Sequence, residues 1–382
     1  MSLSLFISAA EDSGHLYGEQ LLDYLLTQEP NLKSFGLGSK KMQQKGFDSL
    51  FSSKEFSIIG ITDVFKKYFF LKRAFNKLVK EIKLKKPSVV LLIDYPGFNL
   101  RLAKECKKIN IPVVYFIPPK IWASRENRIK DLKNTCDKIV SIFEFEKSFY
   151  KDFKDKFVYV GNPLVNNIPQ DYLDSDINKS IKSKYGFSKN NKIIGLLPGS
   201  RNSEIKYILP TQIQVAEQLY KNNPNLVFGI FLAPSIDKIS VQKYLTNTSL
   251  PISIIKADSK IALRIPDFIL CSSGTAVLYA ALFLKPCVVM YKVSSITFFI
   301  AKFILNKNLK FFSLPNLILN KKIFPEFIQN NMNVKNILQY VEDYLLSEPL
   351  QNQTKKDLNT LKDTLKQKQP IKELGNILLN YR

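Results

Sequence analysis

Histidine is almost missing from this chain: there is one, His15, in 382 residues. That scarcity excludes metal centres built on two or three imidazoles. It leaves a Ser-His-Asp hydrolase only His15 as its base, and no G-x-S-x-G nucleophile elbow occurs in the sequence. Four cysteines, Cys106, Cys136, Cys271 and Cys287, are scattered without paired spacing. Neither a zinc cluster nor a disulfide framework is indicated, and a reducing, cytoplasmic home fits. Long apolar runs are lacking too. The best, Val277 to Leu284, stops at Lys285 and Pro286, far short of the roughly 18 residues of a spanning helix. Residues Ser2 to Ala10 are apolar but carry no basic leader or cleavage signature, and Glu11 and Asp12 follow at once. A first buried strand is expected there, not a signal peptide. Walker A and G-x-G-x-x-G turns are also absent, which argues against ATP hydrolysis and ordinary nicotinamide binding.

Acidic residues are outnumbered, 33 against 56 Lys and Arg, for a net charge of +23. Such a surplus suits an anionic partner: nucleic acid, an anionic membrane surface or a phosphorylated substrate. The bland alternative is a solvated, lysine-rich surface. No recognisable nucleic-acid module occurs, and the basic residues are not interleaved with a stacking-aromatic motif, so nucleic acid is disfavoured.

The remainder is ordinary globular protein, 45% apolar and 23% charged, long enough for two or three domains. Short apolar runs alternate with helical patterns. Strands are expected at 3–8, 88–93, 113–117, 138–143 and 157–160, then at 192–197, 226–232, 252–255, 268–271 and 287–291. Apolar runs without alternation, separated by helices, indicate parallel strands covered on both faces. Residues 166–191 are polar and rich in Asp, Asn, Ser and Lys, as a linker would be. The expectation is an α/β protein of two Rossmann-like open-sheet domains facing a cleft. Residues 1–165 would form the first of them and 192–345 the second. Residues 346–382 supply helices that pack back on the first domain or on a partner subunit.

In such sheets, ligands bind beyond the carboxyl ends of the strands. Strand 192–197 runs into Pro198-Gly199-Ser200-Arg201. Gly199 permits close backbone approach, Ser200 offers a hydroxyl, and Arg201 can grip phosphate with a bidentate fork. Strand 268–271 runs into Ser272-Ser273-Gly274-Thr275 and an apolar helix. Hydroxyls and amides at a helix start form an anion site, although Ser273 or Thr275 could equally be plain caps. Two such turns in one domain favour a diphosphate, and a nucleotide-sugar is the natural one remaining. Strand 88–93 ends at Asp94, before Tyr95-Pro96-Gly97. That carboxylate is either a turn-former or a base facing the cleft. Glu11, after the first strand, is a second candidate.

Together these motifs resemble the lipid-A-disaccharide synthases, bacterial glycosyltransferases of the two-domain GT-B type. The resemblance runs through Glu11-Asp12-Ser13-Gly14, Gly60-Ile61-Thr62-Asp63-Val64, Ile93-Asp94-Tyr95-Pro96-Gly97-Phe98-Asn99 and Trp122-Ala123-Ser124-Arg125. It continues through Phe145-Glu146-Lys147-Ser148-Phe149-Tyr150, Val160-Gly161-Asn162-Pro163 and Leu196-Leu197-Pro198-Gly199-Ser200-Arg201. Ser273-Gly274-Thr275-Ala276, Leu314-Pro315-Asn316-Leu317 and Pro325-Glu326-Phe327-Ile328-Gln329 complete it. Order and spacing together make the match specific.

The resemblance implies an inverting transfer without metal or other cofactor. UDP-2,3-diacylglucosamine and 2,3-diacylglucosamine 1-phosphate would give a β-1,6-linked tetraacyl disaccharide 1-phosphate and UDP. It implies Asp94 as general base, with Glu11 as the other candidate. Gly199, Ser200, Arg201, Ser273, Gly274, Thr275, Asn316 and Gln329 fall at the donor site, and Ser13, Gly14, Asn99 and Arg125 on the acceptor side. The alternative is another GT-B nucleotide-sugar enzyme, an epimerase or a transferase with a different acceptor. His15, Gly97, Pro118, Ser124, Asn162 and Tyr279 depart from the family pattern, which bears on ribose recognition and acceptor specificity. Peripheral attachment to the inner face of the inner membrane is expected, and a homodimer is compatible. Within 64–86, Val64, Tyr68, Phe75, Leu78, Val79 and Ile82 recur at helical spacing, which places Phe70 on the opposite face beside Lys66, Arg73 and Lys77. With Phe69, these are the expected membrane contacts.

Overall fold

A computed structural model describes residues 3–10, 12–52, 64–121, 127–295, 297–299, 309–366 and 368–382. The chain divides into two compact units. One comprises Met1–Pro163 with Gln367–Arg382, the other Leu164–Lys366.

The first unit is built on a parallel sheet. Its strands are β1 (Ser4–Ala9), β2 (Lys33–Gly38), β3 (Asp48–Ser52), β4 (Val89–Ile93), β5 (Val113–Phe116), β6 (Lys138–Ser141) and β7 (Phe157–Tyr159). They lie in the order β3-β2-β1-β4-β5-β6-β7. β4 and β5 are buried along their whole lengths, as near-continuous Val, Leu and Ile runs require when helices cover both faces. The last helix, Pro370–Leu379, belongs to this unit. Tyr24 of helix Asp12–Gln28 donates from its hydroxyl to Asn376 Oδ1 at 2.7 Å, and Leu374 and Leu378 are fully buried.

The second unit repeats the plan with β8 (Lys192–Leu197), β9 (Leu226–Leu232), β10 (Ile252–Lys256), β11 (Phe268–Ser272), β12 (Cys287–Tyr291) and β13 (Glu326–Ile328). Their order is β10-β9-β8-β11-β12-β13, all parallel. Residues 166–191, expected as a linker, carry the helix Ser175–Lys184 and are tied into this unit. Arg264 Nη1 donates to Asp171 Oδ1 at 3.1 Å, and Lys182 Nζ to Asp267 Oδ2 at 2.9 Å.

Both sheets have the doubly wound Rossmann order, in which the direction of winding reverses between the first and fourth strands. The crevice at that reversal, beyond the carboxyl ends, is the general ligand position of such folds. In the first unit the reversal lies between β1 and β4, where Ala9 pairs with Ile93. In the second it lies between β8 and β11, where Leu197 pairs with Cys271.

Candidate functional site

Asp94 is the first residue after β4, so it stands at the first unit's switch point. Asp94 and Tyr95 both adopt left-handed backbone, with φ of 48° and 49°. For residues with a Cβ this costs about 1–3 kcal/mol each, and such strain persists only where the surroundings enforce it. The enforcement is visible. The Asp94 carbonyl accepts from Asn99 Nδ2 at 2.7 Å and from Tyr115 Oη at 2.8 Å. Asn99 also donates to the Ile93 carbonyl at 3.2 Å and accepts from Ser8 Oγ at 2.7 Å. Pro96 then opens the helix Pro96–Lys108, at the position where its missing N–H costs nothing.

Burial pushes the Asp94 carboxyl above its ordinary value. The Tyr95 amide, 2.8 Å from Oδ1, and the charge of Lys120 oppose that rise. A carboxylate with raised affinity for a proton is what base catalysis near neutrality requires. Asn99, expected to meet the acceptor, is fully buried with its amide bonded internally. It positions Asp94's turn and does not face a ligand.

At the neighbouring end of β1, the helix Asp12–Gln28 begins within van der Waals reach of both strands. A Cβ on Gly14 would lie 3.4 Å from Ile93 Cγ2 and 3.7 Å from Ala9 Cβ. His15 is buried, its Nε2 2.8 Å from the Ala9 carbonyl. Ser13 stands in the first turn of that helix. Glu11 and Arg125 lie outside the described residues.

The two phosphate turns of the second unit differ in kind. At β8, Gly199 has φ of 119°, and a Cβ there would lie 2.3 Å from Glu204 Oε2. The space opened by this glycine is therefore filled from within. Glu204 Oε2 accepts from the Ser200 amide at 2.7 Å and the Arg201 amide at 3.3 Å, while Oε1 accepts from Arg201 Nη1 at 2.9 Å. The expected close approach of phosphate to the Gly199 backbone is corrected accordingly: Glu204 closes that end of helix Asn202–Asn222. What remains open is the Arg201 side chain, 77% exposed.

At β11 the helix Thr275–Leu282 begins with no side-chain cap, and a Cβ on Gly274 would meet nothing within 4 Å. Gly274 and Thr275 are exposed, and the Ser273 amide is held by the Met290 carbonyl at 2.8 Å. An uncapped helix start with its amides open is the better anion site of the two.

Asn316 and Gln329 part company. Asn316 is fully buried. Its Nδ2 donates to the Phe324 carbonyl and Glu326 Oε1, and its Oδ1 accepts from the Ile323 and Phe324 amides. It fastens the 316–326 loop and is not exposed to a ligand. Gln329, directly after β13, has φ of 52°. Its Nε2 is buried and finds no acceptor among the described residues. A buried amide donor left unpaired in this way calls for a partner, and a ligand oxygen would supply one.

The expected membrane helix spans Val64–Lys85. Phe70, expected on its solvent face, is half-buried against the core and meets Phe51 edge-on at 6.0 Å. Lys77 Nζ sits 4.8 Å over the same Phe51 ring. The helix rotates its outer face one position from the expected one, because Phe51 of β3 supplies an apolar partner that the helix alone did not reveal. Phe69, 65% exposed, is the aromatic on the outer face, with Lys72, Arg73, Asn76 and Lys80 following at helical spacing. Lys66 belongs to the same helix.

Among the described residues, no cluster of His, Cys, Asp or Glu could hold a metal ion, and no helix is long and apolar enough to cross a membrane.

A family model described as lipid-A-disaccharide synthetase matches residues 5–378. The lipid-A-disaccharide synthase of Persephonella marina is 34% identical over 98% of this chain and 97% of its own. Lipid-A-disaccharide synthase 1 of Legionella pneumophila strain Paris is 34% identical over 93% and 90%. Among solved structures, the UDP-GlcNAc 2-epimerase of Neisseria meningitidis bound to UDP-GlcNAc superposes with a TM-score of 0.59 at 12% identity. That match covers 99% of this chain and 98% of the other. The Methanocaldococcus jannaschii UDP-GlcNAc 2-epimerase gives 0.57 at 13% identity, covering all of both chains. At such identities the likeness is one of fold.

Proposed function

The chain belongs to the lipid-A-disaccharide synthase family and is a glycosyltransferase of lipid A biosynthesis, and we propose how its own residues carry the transfer. The donor is UDP-2,3-diacylglucosamine and the acceptor 2,3-diacylglucosamine 1-phosphate. Asp94 takes the proton from the acceptor's 6-hydroxyl as that oxygen attacks the donor's anomeric carbon from the face opposite UDP. The glycosidic bond forms with inversion, and the bond to the diphosphate breaks. Charge then gathers on the departing UDP. The open helix start at Gly274–Thr275, the Ser273 turn and the Arg201 fork stabilise it, and positioned donors and dipoles of this kind lower such barriers most effectively. Gln329 Nε2 offers a further donor to the nucleotide-sugar.

The observation that carries this reading is the Asp94 turn. The fold holds two strained residues at the first switch point, and burial raises the proton affinity of the carboxyl they present. The experiment is mass spectrometry of products formed from the two acylated substrates by wild type and Asp94→Asn. Wild type should yield tetraacyl disaccharide 1-phosphate. The variant should keep UDP binding and lose about 10²–10⁴-fold in turnover. Near-normal turnover in Asp94→Asn would remove it from the mechanism and direct attention to Glu11.

The outer face of helix Val64–Lys85 is the membrane contact in this reading. Phe69 inserts among headgroups, and Lys72, Arg73 and Lys80 neutralise anionic lipid phosphates. Both substrates carry acyl chains that water does not hold, so attachment to the cytoplasmic membrane surface brings enzyme and substrates together.

A further inference from the structure

Beside the Asp94 turn, the helices Val64–Lys85 and Pro96–Lys108 enclose a cavity of about 470 Å³. Its size is within the roughly 300–1,000 Å³ of small-molecule sites. Leu71, Phe75, Tyr95 and Phe98 wall it with apolar surface, and Lys72 and Arg101 line it with cations. Phe75 and Phe98 meet edge-on at 5.6 Å, and Phe98 stacks obliquely on Tyr95 at 6.0 Å. Those rings fix the wall that continues into the strained turn. Gly97 contributes no side chain, and a Cβ added there would meet nothing within 4 Å.

We propose that this cavity receives one acyl chain of the acceptor, with Lys72 and Arg101 meeting the acceptor's phosphate. The inference rests on the reading above and adds a subsite to it. Three observations converge. Apolar walls with two cations match a lipid with an anionic head. Tyr95 lines the cavity and also follows Asp94, so a chain seated there holds its sugar next to the base. Lys72 and Asn76 lie both in the cavity lining and on the outer face of the helix, so the cavity opens beside the surface assigned to the membrane. An acyl chain can thus leave the lipid layer for the cavity with little exposure to water.

The test uses a diacylglucosamine 1-phosphate carrying a diazirine on one acyl chain, photolysed with the full-length protein. Peptide mass spectrometry should place adducts on residues 71–76 and 95–98. Adducts confined to other segments would overturn the proposal. So would labelling of these residues by a diazirine-tagged phosphatidylglycerol in vesicles but not by the acceptor probe, since the cavity would then be a lipid anchor.

A second arm compares Gly97→Leu, which adds an apolar side chain to the cavity lining at a position where its Cβ meets nothing within 4 Å, and Leu71→Gln with wild type on long- and short-chain acceptors. Each variant should lose about tenfold or more in kcat/KM for the long chain, as pocket contacts worth a few methylenes imply. Rates with the short chain, and UDP affinity, should hold. Chain-length preference identical to wild type in both variants would refute the subsite. Failure of the parent reading looks different: wild type would make no disaccharide from either acceptor, while adduct mapping still reports on the cavity.

Discussion

Replacing Asn99 with alanine removes the side chain that holds the Asp94 turn, and the structure sets the scale of the loss. Three hydrogen bonds go: from Ser8 Oγ at 2.7 Å, to the Ile93 carbonyl at 3.2 Å and to the Asp94 carbonyl at 2.7 Å. At about 0.5–1.5 kcal/mol each, the sum is about 1.5–4.5 kcal/mol. The Asp94 carbonyl keeps its bond from Tyr115, which softens the loss. The Ser8 hydroxyl is fully buried and loses its acceptor, which deepens it. A cost of about 2–4 kcal/mol results, and a domain with about 5–15 kcal/mol to spare stays folded. Activity should suffer more. Without Asn99, the left-handed backbone at Asp94 and Tyr95 can relax toward ordinary geometry, and a shift of about 1 Å at a reacting group can cost about 10²-fold. The assay is urea titration and steady-state turnover on one preparation, with UDP binding by calorimetry. The denaturation midpoint should fall, turnover should drop by about 10–10²-fold, and UDP affinity should hold because the proposed anion site is in the second unit. A stability loss below about 0.5 kcal/mol, or a turnover loss no larger than the unfolded fraction, would refute the role assigned to this side chain.

The raised proton affinity of Asp94 predicts a pH–rate profile whose acid limb lies above the ordinary carboxylate value of 3.8; Lys120→Met should move that limb upward, because a charge that lowers the value is gone. For stability the sign is opposite to that of a salt-bridged acid. A carboxyl whose folded pKa exceeds its unfolded one contributes stability below 3.8 and loses it as pH rises through the folded value, so Asp94→Asn should melt higher than wild type at neutral pH; a lower melting point would contradict desolvation as the cause. Gly199→Ala forces a Cβ against Glu204 at positive φ and should cost about 1–3 kcal/mol in denaturant titration, whereas Gly274→Ala has room, should leave stability unchanged and should weaken UDP binding in calorimetry. Phe69→Ser should reduce co-sedimentation with anionic vesicles at unchanged stability, and Phe70→Ser should do the reverse, since Phe70 packs on Phe51.

The sequence alone reveals the strands whose apolar residues run without a break. β8, β9 and β12 match their expected bounds, and seven others agree within two residues at either end. The three unforeseen strands are those without a continuous apolar run. β2 reads KSFGLG, with Gly36 at φ of 136° pressed on the Ile7 carbonyl; β3 is a polar edge strand; β13 has three residues. Missing β2 and β3 hides the winding reversal beside β1, and so hides why Asp94 and the helix at Gly14 converge. The same gap misplaces Phe70, whose partner Phe51 is on β3. For the proposed site, position after a strand singles out Asp94, Arg201 and Gly274 as candidates, since the chain order fixes which residue leaves the sheet first. It does not distinguish a residue that faces outward from one that fastens the turn. Asn99, Asn316 and Glu204 are polar residues in or beside these motifs, and only their bonds to backbone groups show that each satisfies its own loop. Tyr115 had no motif at all, because its hydroxyl reaches Asp94 from the neighbouring strand. The spacing that would have suggested it is a register across the sheet, not an interval along the chain. Placement after a strand is therefore legible from one sequence, whereas the polar groups that hold such positions are read only once strand register is known.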